Sequence, residues 1–332
     1  IEQLKKIAKT LKPSNFTSFI YNKTKQGKLN AEIEFYLNDN NLFDNYIARG
    51  SVSDLKTEIT KEISLNKINF NFFADKTDVL IQNFFGETDG VKIKNGDFKL
   101  ILDPEIMLES NFITNIKYND KSKNFKNLIK NFVYANNIVN LEADLNNYIS
   151  INLDETYKLI KYNFKSNGKI VKANLNFKKP IKNNLLKKKI NQLALINSEI
   201  KTSFNSKSSN TIISGKYSLN ESDLLLFNLD NIIDGELLKL KLEAEYDQPI
   251  GLELINYDKP KNSIANFSIN LDKLKDNLNI KEINFTEGNS YIFAKNIKFE
   301  KDKFLSLETL KIKTIKDGKK NNDFSISYGK KI

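Results

Sequence analysis

The chain has 332 residues, with 52 Lys and Arg against 41 Asp and Glu, and it contains no His, no Cys and no Trp. These absences exclude metal sites built from His or Cys, thiol nucleophiles, disulfide frameworks and a Ser-His-Asp triad. The single Met is Met107 and the chain begins with Ile1, so we expect a fragment or a processed product.

The net charge of +11 is carried almost entirely by lysine, because the single arginine is Arg49. Nucleic-acid recognition favours arginine for its planar, bidentate group, so we predict no nucleic-acid partner. Lys, Asn, Ile, Phe and Tyr are abundant together, as A+T-rich codons would produce. Hydrophobic residues make up 40% of the chain and charged residues 28%, which indicates a folded protein, and no apolar run is long enough for a membrane-spanning helix.

Two segments have helical spacing. Ile1 to Leu11 places its apolar residues on one helical face and stops before Pro13, and Phe125 to Phe132 repeats this spacing. Both predict short amphipathic helices. A basic helix of this kind can lie on an anionic membrane, but we favour a role in covering an open edge of a sheet.

Most of the chain instead alternates between apolar and polar residues. From Lys28 to Leu37 every second residue is apolar, which predicts an antiparallel strand with one dry face. The same alternation recurs in sets that we list in chain order: Ile68, Phe70, Phe72, Ala74; Phe98, Leu100, Leu102; Leu141, Ala143, Leu145; Ile149, Ile151, Leu153; Val171, Ala173, Leu175, Phe177; Leu238, Leu240, Leu242, Ala244, Tyr246; Ala265, Phe267, Ile269, Leu271; Phe324, Ile326, Tyr328.

Turn residues separate many of these runs and predict hairpins. The pairs are Asp89-Gly90, Asn95-Gly96, Asn167-Gly168, Asp234-Gly235 and Asp317-Gly318. Roughly eighteen strands are expected from this pattern. Their apolar faces must be covered by a second sheet, by closure of the sheet, or by an apolar ligand in a trough.

One segment interrupts the alternation. Pro180 and the cluster Lys187-Lys188-Lys189 suggest a soft domain boundary at 178–189, although no linker composition marks a sharp one. The apolar residues between Ile181 and Ile190 fit a helix or a strand equally well.

We find no pattern that nominates a catalytic residue, a metal site or a cofactor. Asp75 and Asp78, or Asp39 and Asp44, resemble cation ligands only superficially, because the spacing of a calcium loop is absent, and we interpret them as turn residues. Phosphate-binding and dinucleotide-binding glycine motifs are also absent. We therefore predict a protein that is not an enzyme.

The segment from Tyr46 to Leu102 resembles the bacterial AsmA-like family, in particular its YhdP/TamB branch. The resemblance lies in an Ala-x-Gly-x-Val turn into a strand, then an apolar strand pair, then glycine-marked steps; it is carried by Ala48, Gly50, Val52, Leu55, Ile68, Phe70, Phe72, Gly90, Gly96, Phe98 and Leu100. A less exact copy of the same pattern occurs later in the chain. It consists of Ile213, Gly215, Tyr217, Leu219, Leu237, Leu238 and Leu240.

This resemblance implies a mainly β fold, in which an elongated, curved antiparallel sheet with a few short helices forms a hydrophobic groove. Residues 1–332 would be one continuous segment of that groove. It further implies a periplasmic protein, anchored to the inner membrane by a helix outside this segment, that moves phospholipid or another acyl-chain lipid between membranes. No catalytic residues are implied, and protein partners are not specified.

The alternation, taken with the resemblance, assigns the lining of the groove. The predicted lining residues are Leu29, Ile33, Phe35, Ile68, Phe70, Phe72, Phe98, Leu100, Leu141, Leu145, Ile151, Val171, Leu175, Phe177, Leu240, Leu242, Phe267 and Ile269. The alternative is that these residues form the dry core of a structural β-sandwich or β-solenoid, which would bind protein or polysaccharide in the cell envelope.

Overall fold

The computed structural model describes residue 6 and residues 15–58, 64–103, 105–119, 137–260 and 263–328. The predicted helices at 1–11 and 125–132 lie outside these residues, apart from Lys6, which is helical. The described helices are α1 (Asn15–Lys23) and a 3₁₀ turn at Glu253–Ile255.

Strands make up most of the described chain. Those of the first half are β1 (Thr24–Leu37), β2 (Phe43–Glu58), β3 (Ser64–Ala74), β4 (Asp78–Thr88), β5 (Val91–Ile101), β6 (Ile106–Asn119), β7 (Ile138–Leu153) and β8 (Leu159–Ile181). Next come β9 (Ile190–Asn205), β10 (Ser208–Leu219), β11 (Leu225–Asp234), β12 (Leu237–Tyr246), β13 (Gly251–Leu252) and β14 (Tyr257–Asp258). The last are β15 (Ala265–Leu274), β16 (Asn277–Glu287), β17 (Ser290–Glu300), β18 (Lys303–Ser306), β19 (Thr309–Lys316) and β20 (Lys319–Ser327).

The predicted mainly β, antiparallel class is confirmed. Hydrogen bonds join 18 of the strands in one antiparallel sheet, while β13 and β14 form a separate pair. The chain divides into two compact units: the first comprises Ile1–Lys169 with Ser203–Ser206, and the second Ile170–Thr202 with Lys207–Ile332. Of the predicted soft boundary, 178–181 end β8 and 182–189 precede β9, and its role as a domain boundary stays a prediction.

In the first unit, β1 to β7 form a meander in which each strand pairs with its neighbours in sequence. The registers between β2 and β6 are interrupted by bulges. Asp54, Lys67, Asn83 and Asn95 have φ of 50°, 50°, 56° and 48° and lie inside four consecutive strands. A residue in this left-handed conformation inserts one extra position and so reverses the alternation beyond it.

In the second unit, strands β10, β11, β12, β15, β16, β17, β19 and β20 pair in that order, and β18 lies beside the end of β17. The three interfaces from β10 to β15 contain no register shift. Residues directly opposite each other on these strands therefore stay aligned over their whole length, and their side chains share a face.

Two of the five predicted hairpin turns are confirmed, at Asp89-Gly90 and Asp317-Gly318, and a third, predicted at Asp234-Gly235, forms one residue later, at Gly235-Glu236. The predicted turns at Asn95-Gly96 and Asn167-Gly168 are wrong, because these pairs lie inside β5 and β8. Asn95 uses its left-handed conformation for a bulge, and a bulge needs the same backbone geometry as a tight turn.

The segment from Ile181 to Ile190 is mostly neither helix nor strand. Its ends belong to β8 and β9, and its middle contacts a later loop through a bridge between Leu186 and Ile250. Lys187 and Asp258 form an ion pair at the same place.

Candidate functional site

One face of the sheet in the first unit is apolar across all seven strands of the meander. One cross-strand row consists of Ile33, Ala48, Ala74, Val79, Leu100, Leu108 and Ile151, each paired with the next. The adjacent row consists of Ala31, Gly50, Phe72, Ile81, Phe98, Ser110 and Ile149. We call this surface the first apolar face.

A ladder of four phenylalanine rings runs along the first apolar face, one ring on each strand from β3 to β6. The ring centroids of Phe70 and Phe84 lie 6.0 Å apart, those of Phe84 and Phe98 5.0 Å apart, and those of Phe98 and Phe112 6.2 Å apart. These distances are typical of favourable aromatic pairs. The ladder thus forms a continuous aromatic strip across four strands.

Small residues make room for the rings. A Cβ atom at Gly96 would lie 3.0 Å from Cε2 of Phe98 and 3.1 Å from Cβ of Phe84. Gly86 is similarly close to Phe84 and to Ile68. Both glycines therefore serve ring packing rather than a turn.

Side chains from neighbouring strands stabilise the bulges beside the ladder. The backbone N–H of Asp54 donates to Oδ1 of Asn69 at 3.1 Å, and that of Asn83 donates to Oδ1 of Asp97 at 3.2 Å. These bonds satisfy amides that a regular strand pair would have satisfied. They hold the bulge positions that keep Phe84 on the same face as Ile81, three residues earlier.

The second unit has an apolar face of its own, which we call the second apolar face. One row consists of Ile213, Leu229, Leu242, Ile269, Ile283, Ala294, Leu310 and Ile326, paired across eight strands. The next consists of Gly215, Phe227, Ala244, Phe267, Phe285, Ile292, Ile312 and Phe324. No polar side chain interrupts either row.

A loop covers one end of the second apolar face. This covering segment, residues 247–260, contains β13, the 3₁₀ turn and β14, and it packs Tyr257 against Ala265 and Phe285. Ile250, Leu252 and Ile255 extend the same contact. Tyr257 and Ala265 keep 1% and 0% of their surface exposed, so this end of the face is closed to solvent.

Polar contacts fasten the covering segment. The Tyr257 hydroxyl donates to Oε2 of Glu287 at 2.9 Å, and burial raises the pKa of this tyrosine. Nζ of Lys259 donates to the carbonyl oxygens of Asp247 at 2.9 Å, Pro260 at 3.1 Å and Ser263. Burial lowers the pKa of Lys259, whose three hydrogen bonds are used within the fold.

The predicted lining residues of the first unit lie on its apolar face. Leu29, Ile33 and Phe35 on β1 are exposed by 39%, 53% and 68%, while Ile68 is buried at 2%. The rest are half-buried, namely Phe70, Phe72, Phe98, Leu100, Leu141, Leu145 and Ile151.

The remaining predicted lining residues lie in the second unit, on β8, β12 and β15. Leu240, Leu242, Phe267 and Ile269 are half-buried on the second apolar face. Val171, Leu175 and Phe177 are half-buried on β8. On that strand the buried residue Ile170 is followed by the buried residue Ala173, three positions later. The buried side chains therefore change from the even-numbered to the odd-numbered positions beside Val171.

The sequence reasoning missed several residues of both faces. On β4 and β6 it missed Val79, Ile81, Phe84, Leu108 and Phe112; in the second unit it missed Ile213, Leu229, Ile283, Phe285, Ala294 and Ile312. A usable signal was present: Asn69-Phe70, Asn83-Phe84, Asp97-Phe98 and Asn111-Phe112 follow one another at intervals of 14 residues.

Of the four acids that superficially resembled cation ligands, Asp75 stabilises a turn and Asp39 lies in one, whereas Asp44 and Asp78 lie in β2 and β4. Oδ1 of Asp75 accepts from the backbone N–H groups of Thr77 and Asp78 at 2.7 and 2.9 Å, and from the Thr77 hydroxyl at 2.8 Å. These bonds lower the pKa of Asp75. Within the described residues, no group of three or more acidic side chains is arranged to hold a metal ion.

Comparison with known proteins gives no relatives: no family model, curated protein or solved structure matches the chain. In the described part of the chain, none of the helices has the length and apolar character needed to cross a bilayer.

Proposed function

We propose that this protein binds phospholipid or another acyl-chain lipid along its apolar faces and transfers it without chemistry. In this proposal it is a segment of an AsmA-like envelope protein, located in the periplasm and anchored to the inner membrane by a part of the protein outside these residues. Transfer along the faces connects the inner and outer membranes.

The observation that carries the proposal is the apolar rows of the two faces, in which Ser110 is the single polar side chain. Moving a sixteen-carbon chain from water to an apolar surface gains roughly 12 kcal/mol, at about 0.8 kcal/mol per methylene group. Movement along a surface requires nearly uniform affinity, because a single strong pocket would retain the lipid. Rows such as the one from Ile213 to Ile326 present an aliphatic group on every strand, and all but Ala294 are Leu or Ile.

Exposure supports the same proposal at β1. Ile33 and Phe35 expose 53% and 68% of their surface, although both lie on the apolar side of an alternating strand. Large exposed apolar side chains in a contiguous set mark a surface that binds an apolar partner. The lysine excess would attract the phosphate of a head group without identifying it.

The test uses charge substitution on each apolar face. Phe70→Asp and Leu240→Asp should abolish uptake of a fluorescent phospholipid by the purified protein, because a carboxylate on the face must be desolvated when an acyl chain binds. Phe73→Asp is the matched control, since Phe73 lies on the opposite face of β3 and is 41% exposed. Circular dichroism checks that each variant folds.

Native mass spectrometry of the unmodified protein provides the second measurement. Bound phospholipid is the expected result. Recovery of no lipid, together with no uptake of the fluorescent probe, would contradict the proposal and favour a structural β-sandwich or β-solenoid interaction domain.

A further inference from the structure

The opposite, polar face of the second unit contains a groove of about 610 Å³ that spans β10, β11, β12, β15 and β16. Its floor includes the backbone of Gly215, Phe227, Ala244 and Phe267, whose side chain positions belong to the second apolar face. Two rows of side chains flank this floor, and we call the whole the polar groove.

The two rows follow the register of the strands. The first row consists of Ser214, Asn228, Glu243, Ser268 and Asn284, each paired with the next. The second row contains Leu226, Glu245, Asn266 and Thr286. Four inter-strand spacings of about 4.8 Å give the groove a length of about 19 Å across the strands.

The amides and hydroxyls of the polar groove are free to bind a ligand. Among the residues that the structure describes, the side chains of Asn228, Asn266 and Asn284 have no hydrogen-bond partner, and neither do those of Ser214, Ser268 and Thr286. Other asparagines are used within the fold, as at Asn147, whose Nδ2 donates to the carbonyl oxygen of Leu145 at 3.2 Å. The groove is therefore lined by six side chains with unused donors and acceptors.

The two carboxylates of the groove are already engaged. Glu243 pairs with Lys241 at 2.9 Å, and Oε2 of Glu245 accepts from the backbone N–H of Leu226 at 2.8 Å. Each carboxylate keeps further lone pairs for hydroxyl donors. Their negative charge disfavours a polyanionic ligand such as nucleic acid or an acidic polymer.

Aromatic side chains stand at one end of the groove. Thr286 is paired with Tyr291 and Asn284 with Phe293, which places both rings on the polar face of β17. Tyr291 is 37% exposed. An aromatic ring on an otherwise polar surface offers an apolar plane beside the hydrogen-bonding groups.

We propose that the polar groove binds a linear, uncharged polysaccharide lying across the strands. Sugars combine hydroxyl groups, which the free amides and the carboxylates can bind, with apolar C–H faces that pack on aromatic rings. The strand spacing is comparable to the length of one pyranose unit, so successive sugars meet successive strands. An added peptide strand has no place here, because every strand of the floor is paired on both sides.

The experiment is calorimetric titration of the full chain with two uncharged probes, cellohexaose and hexa-N-acetylchitohexaose. We expect saturable binding of at least one probe. Asn266→Ala combined with Asn284→Ala should raise its Kd about tenfold, because two hydrogen bonds to the ligand are lost. Tyr291→Ala should raise the Kd by a similar factor through loss of the stacking plane.

Asn270→Ala is the matched control, because Asn270 lies on the same face of β15 outside the groove and should leave the Kd unchanged. Absence of binding by both probes overturns the proposal. So does binding that the groove variants leave unchanged, or preference for an acidic polysaccharide with affinity that falls steeply with salt. Phe70→Asp should leave glycan binding intact, which separates this test from that of lipid binding.

Discussion

The two units present the same kind of apolar face by different means. In the first, consecutive strands contain left-handed bulges, and phenylalanine rings form a ladder beside them. In the second, the register is regular from β10 to β15, and residues 247–260 cover one end of the face. The first unit lowers its exposed apolar area by packing large rings beside bulges. The second unit does so by placing a loop over a regular sheet.

The difference shows where each unit is vulnerable. The first depends on side chains that contact one another along the sheet, so loss of an inner ring, Phe84 or Phe98, removes two of the three ring contacts. The second depends on a loop held by a few buried polar groups, among them Tyr257 and Lys259. Four variants or conditions test this contrast.

The largest effect is expected from Phe84→Ala. Its ring lies between those of Phe70 and Phe98, so its removal should lower the free energy of unfolding by about 3 kcal/mol. Urea denaturation measures the loss, and hydrogen exchange of β3 to β6 peptides locates it. Phe73→Ala, on the opposite face and exposed, should cost under about 1 kcal/mol; an equal loss would contradict a special role of the ladder.

A smaller effect is expected from Tyr257→Phe in the covering segment. Removing the hydroxyl leaves a carboxylate oxygen of Glu287 without its donor and should cost about 2 kcal/mol. Hydrogen exchange in residues 247–260 should become faster. Tyr291→Phe is the control, since that ring is partly exposed. Unchanged exchange in the Tyr257 variant would show that apolar contacts alone hold the segment.

The bulges are tested by Asp97→Ala, which removes the acceptor of the Asn83 backbone N–H and should cost about 1 kcal/mol. Asp97→Asn keeps an oxygen at the same place and should be close to neutral. If urea denaturation shows equal losses for both variants, the charge of Asp97 matters more than its hydrogen bond.

The last prediction concerns the pH dependence of the free energy of unfolding, which the second unit should show only at high pH. Burial raises the pKa of Tyr246 to about 12 in the folded protein, against about 10 in an unfolded chain. Above pH 10 the unfolded chain therefore binds fewer protons, and the free energy of unfolding should fall as the pH rises towards 12. Thermal unfolding between pH 8 and pH 12 should show this fall, and Tyr246→Phe should make it shallower.

The alternating strands could be predicted because each residue's face follows from its own neighbours in sequence. β12 is an example, with Leu238, Leu240 and Leu242 on one side. The bulges could not be predicted this way, because a left-handed Asn95 before Gly96 is the same local signal as a hairpin turn. Only the pairing of β5 with β4 and β6 distinguishes the two.

The candidate site was predictable in composition but not in arrangement. Alternation identified Phe70 and Phe98, whereas Phe84 escaped because its bulge breaks the pattern of β4. The covering segment had no periodic signal, since its packing depends on Tyr257 meeting Phe285 from a distant strand. The polar groove depends on register across five strands and has no signal in any one of them.

The ladder from Phe70 to Phe112 has one ring on each strand, and successive rings are always 14 residues apart in the sequence. The ladder is therefore modular. Gain or loss of a hairpin of two such intervals would leave the direction of every remaining strand unchanged and would preserve the face on which the rings lie. The length of the aromatic strip can thus change by internal duplication in whole steps, without a new core at each step.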